Sequence, residues 1–62
     1  MKVDQKTLDD YKKKVAECLM KNYNRTEAAA WESITIYTED FPMFYEEKWE
    51  PSLVATAIVL GY

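Results

Sequence analysis

The chain has 62 residues, a formal net charge of −3 and a mean hydropathy of −0.45. One cysteine and no histidine exclude an intrachain disulfide and a cysteine–histidine zinc centre. A domain of this size buries only about 60% of the surface its unfolded chain exposes, so without a staple it needs a dense helical core or a second chain.

Two Phe, two Trp and five Tyr provide the large side chains for such a core, which argues against disorder. The start, MKVDQKTLDDYKKK, is polar throughout, and the longest apolar run, LVATAIVLGY, falls far short of the roughly 20 residues that span a bilayer. With the lone thiol, these features predict a soluble cytoplasmic protein with no membrane segment. Charge is unevenly placed. Residues 1–25 carry seven basic and four acidic side chains, and residues 26–62 carry one basic and seven acidic. Asymmetry of this kind marks either a partner surface or internal pairing.

The first predicted helix opens on Thr7 and Asp10, spaced as an N-terminal box. Leu8, Tyr11, Val15, Cys18, Leu19 and Tyr23 then recur at helical spacing and share one face. Asp9–Lys13, Asp10–Lys14 and Glu17–Lys21 lie opposite, each with the acid one turn before the base. The segment NYN ends the helix.

A second helix begins near NRTEAAAW, with Asn24 or Thr26 as its cap. Ala28, Ala30, Trp31, Ile34, Tyr37 and Phe41 form one arc. Its weak stretch is SITIYT, which is β-branched and aromatic. A strand near 33–38 paired with another near 53–60 is therefore the α+β alternative. Pro42 interrupts the helix, and a short extra helix near 41–49 follows, with Asp40 as its cap. On a helical wheel Phe41, Phe44, Tyr45 and Trp49 point inward, whereas Met43 points out with Glu46, Glu47 and Glu50.

Pro51 suits the first turn of a last helix that runs to Leu60, where Gly61 can form a left-handed cap and Tyr62 can fold back. Only Ser52 and Thr56 are polar within it. A helix apolar all round must be covered all round, and a second copy is the natural cover. The chain thus reads as all-α: a single small helical domain over 1–62, with three main helices and the extra one near 41–49.

Catalysis is not expected. The commonest general base is absent, and Cys18 has no basic partner on the apolar edge of the first helix. One terminal glycine cannot build a phosphate loop. The adjacent acids Glu39–Asp40 and Glu46–Glu47 diverge around a helix and do not converge on a substrate. No cofactor or metal is implied. The YKKK at 11–14 is basic, but its outward lysines are paired with acids, and the last helix lacks side chains that read bases. Nucleic acid is not the expected partner, and a helix-turn-helix DNA binder stands third among the readings.

Two surfaces remain. Ala29, Ile36 and Met43 are seven apart, so a helix continuing through Pro42 would align them in a seam. Glu32, Glu39 and Asp40 would rim it, with Glu46 and Glu47 beyond, which is the usual anatomy of a partner-binding surface. Leu53, Val54, Ile58 and Tyr62 would form the self-contact of a homodimer. The sequence therefore predicts a non-enzymatic protein–protein interaction or regulatory module that self-associates through its last helix. The alternative is a small acidic inhibitor that occupies the basic groove of a nucleic-acid-handling enzyme.

Overall fold

Nineteen residues, Gln5–Tyr23, form α1, the longest element of the computed structural model, which describes residues 4–61. Its helical spacing buries Leu8, Tyr11, Val15, Ala16 and Leu19 on one face. The helix begins before Thr7. Asp4 takes the cap position without a side-chain bond, so the expected Thr7–Asp10 box does not form. Asp9 instead accepts from Gln5 Nε2 at 2.9 Å. Asn24 ends α1 in the left-handed conformation (φ 54°), a region asparagine tolerates. Its N–H and that of Arg25 both turn back to the Leu19 carbonyl.

Thr26, not Asn24, opens α2 (Glu27–Ile36): its hydroxyl accepts from the Ala29 N–H at 3.2 Å. The SITIYT stretch is helical up to Ile36, and no strand occurs among the described residues. Ser33 and Thr35 donate their hydroxyls to the carbonyls of Ala29 and Trp31, at 3.1 and 2.9 Å. This back-bonding accommodates their polar groups inside a helix.

The helix does not continue through Pro42. A 3-10 turn at Thr38–Asp40 redirects the chain into α3 (Phe41–Glu46), which Asp40 precedes without a side-chain cap bond. The expected helix over 41–49 is cut short by its own C-terminal motif. Lys48 adopts φ 62°, its N–H reaches the Tyr45 carbonyl at 3.0 Å, and the Trp49 N–H reaches that of Phe44 at 2.9 Å. These are the two bonds of a Schellman motif, and the apolar contact that accompanies it is present. The rings of Phe44 and Trp49 lie 4.7 Å apart between centroids.

Pro51 begins α4 (Pro51–Leu60), and Gly61 closes it at φ 81°, its N–H returning to the Ala57 and Ile58 carbonyls. Gly61 serves as the left-handed cap that its position suggests.

α1 is the hub against which α2, α3 and α4 all pack. The core holds the α1 face with Ala30 and Ile34 of α2, Phe41 and Phe44 of α3, and Val54, Ala55 and Ile58 of α4. Tyr11 stands edge-on to both Phe41 and Tyr45, at centroid distances of 5.9 and 5.5 Å. Burial pushes its phenol up to about 12. Lys12 lies over the Phe41 ring while its ammonium donates to Thr38 Oγ1 at 2.8 Å, so its stem covers core and its head stays at the surface. Tyr45, expected inside, sits at the rim and is exposed on its outer side. No helix among the described residues is long and apolar enough to cross a membrane.

Candidate interaction surface

The residues expected to form a partner seam are spread over three elements. Ala29 is half-buried on α2, where Glu32 and Ile36 are exposed, Ile36 by 72%. Glu39 is exposed and Asp40 half-buried in the 3-10 turn. On α3, Glu46 is exposed; Glu47, just past its end, accepts from the Trp49 indole N–H at 3.0 Å. Met43 does not point out with these acids. It is partly buried and packs against the core. Seven-residue spacing aligns side chains only along one continuous helix, and α2 stops at Ile36.

The self-contact residues separate as well. Val54 and Ile58 belong to the chain's own core. Tyr62 lies outside the described residues. Leu53 faces solvent, exposed by 52%, and Leu60, which sequence reasoning passed over, is exposed by 79%. Its signal was the interval of seven from Leu53, two turns along the same helix. At 100° per residue, Leu53, Thr56, Ala57 and Leu60 share the face of α4 opposite Val54, Ala55 and Ile58. The helix is thus covered on one side by α1, and on the other Leu53 and Leu60 are exposed while Thr56 and Ala57 are half-buried.

That outer face is electrically quiet. Pro51–Leu60 contains no charged residue. The hydroxyl of Thr56 donates to the Ser52 carbonyl at 3.0 Å, so the Tyr23 hydroxyl, 2.7 Å away, is the donor to Thr56 Oγ1. Both lie within the chain, and covering this face strands neither bond of Thr56.

An open cleft of about 460 Å³ lies between α1 and the start of α4, lined by Lys14, Glu17, Cys18, Lys21, Glu50 and Ser52 among others. Its lysines and glutamates balance in number, so it has no net attraction for an anion. Cys18 is half-buried there, less enclosed than a core thiol. No group of three or more cysteine or carboxylate side chains among the described residues is placed to hold a metal ion.

No protein-family model matches the chain, and neither a curated protein nor a solved structure shows significant similarity to it.

Proposed function

We propose that this chain is a small, non-enzymatic protein-interaction module that self-associates through the outer face of α4. The observation that carries this reading is the pair of leucines there, Leu53 exposed by 52% and Leu60 by 79%, on a helix without charge. A single exposed leucine is ordinary on a protein surface. Two on one uncharged face, with the intervening hydroxyl already satisfied, match the composition of an interface core.

Sedimentation equilibrium over a range from micromolar to roughly millimolar chain tests this, because dissociation constants in that span correspond to about 4–8 kcal/mol of association. The expected result is a mass that rises with concentration in the wild-type chain. Leu53→Glu should abolish the rise while keeping the helical spectrum, since an acid in the first turn of α4 also suits the helix dipole. A wild-type chain that stays monomeric throughout would refute the reading.

A further inference from the structure

We draw no further inference here: the strongest candidate, the open cleft between α1 and the start of α4 that holds Cys18 between Lys14 and Lys21, rests on a lone cysteine among charges that balance, and no second feature of the structure points to the ligand it would take.

Discussion

The hydroxyl of Tyr11 donates to the backbone carbonyl of Trp49 at 2.6 Å, tying α1 to the loop that leads into α4. The same ring packs edge-on against Phe41 and Tyr45, so one side chain joins three segments of the chain.

Replacing Tyr11 by Phe keeps the ring and removes the donor. The variant should lose about 1 kcal/mol in urea denaturation. Burial pushes the Tyr11 phenol from 10.0 up to about 12, above its unfolded value. The stability tied to the protonated phenol is therefore complete below about pH 10 and is lost as pH rises toward 12. Tyr11→Phe should flatten this alkaline decline. Equal declines in both proteins would show that other groups cause it.

Lys48 sits at φ 62° with a full side chain, in a position where the Schellman motif prefers glycine. A left-handed residue with a Cβ carries a penalty of about 1–2 kcal/mol, partly offset by the greater unfolded-state freedom of glycine. Lys48→Gly should therefore raise stability by roughly 0.5–1 kcal/mol, and Lys48→Val should lower it, both read as a shift in the denaturation midpoint.

Two threonines separate the cap expected from local pattern from the cap that forms. Thr26 accepts from the Ala29 N–H, whereas Thr7 lies inside the first turn of α1. Thr26→Ala should cost about 1 kcal/mol. Thr7→Ala should be neutral or slightly stabilising, because alanine is the better helix former. A larger loss at Thr7 than at Thr26 would contradict this assignment.

The apolar residues of the C-terminal half should divide by depth. Ile58 is exposed by only 7%, so Ile58→Asp should destabilise by more than about 3 kcal/mol and unfold the chain. Met43 packs partly against the core, and Met43→Asp should cost about 1–2 kcal/mol, where the outward reading of the wheel predicts no effect. Leu53→Glu should leave folding within about 0.5 kcal/mol of wild type. Circular dichroism with thermal melting ranks the three.

Local pattern alone accounts for much of this protein. The spacing of Leu8, Tyr11, Val15 and Leu19 marks the buried face of α1, and Pro51 and Gly61 bracket α4. These features are legible because helix period, caps and breakers act within a few residues of one another. The path through Pro42 is different. Local chemistry allows a kinked continuation as readily as a new helix, and the choice falls to the packing of Phe41 and Phe44, whose rings meet at 5.6 Å beside Tyr11. That choice moves Met43 to the core and parts it from Ala29 and Ile36.

The outer face of α4 was half legible. A last helix with almost no polar residue announces that part of its surface is buried, and the sequence by itself determined that much. It could not say which side the chain covers for itself, because a helix that is apolar all round has no polar contrast to orient it. The docking of α4 on α1, with Val54, Ala55 and Ile58 turned inward, decided that Leu53 and Leu60 are the residues left over.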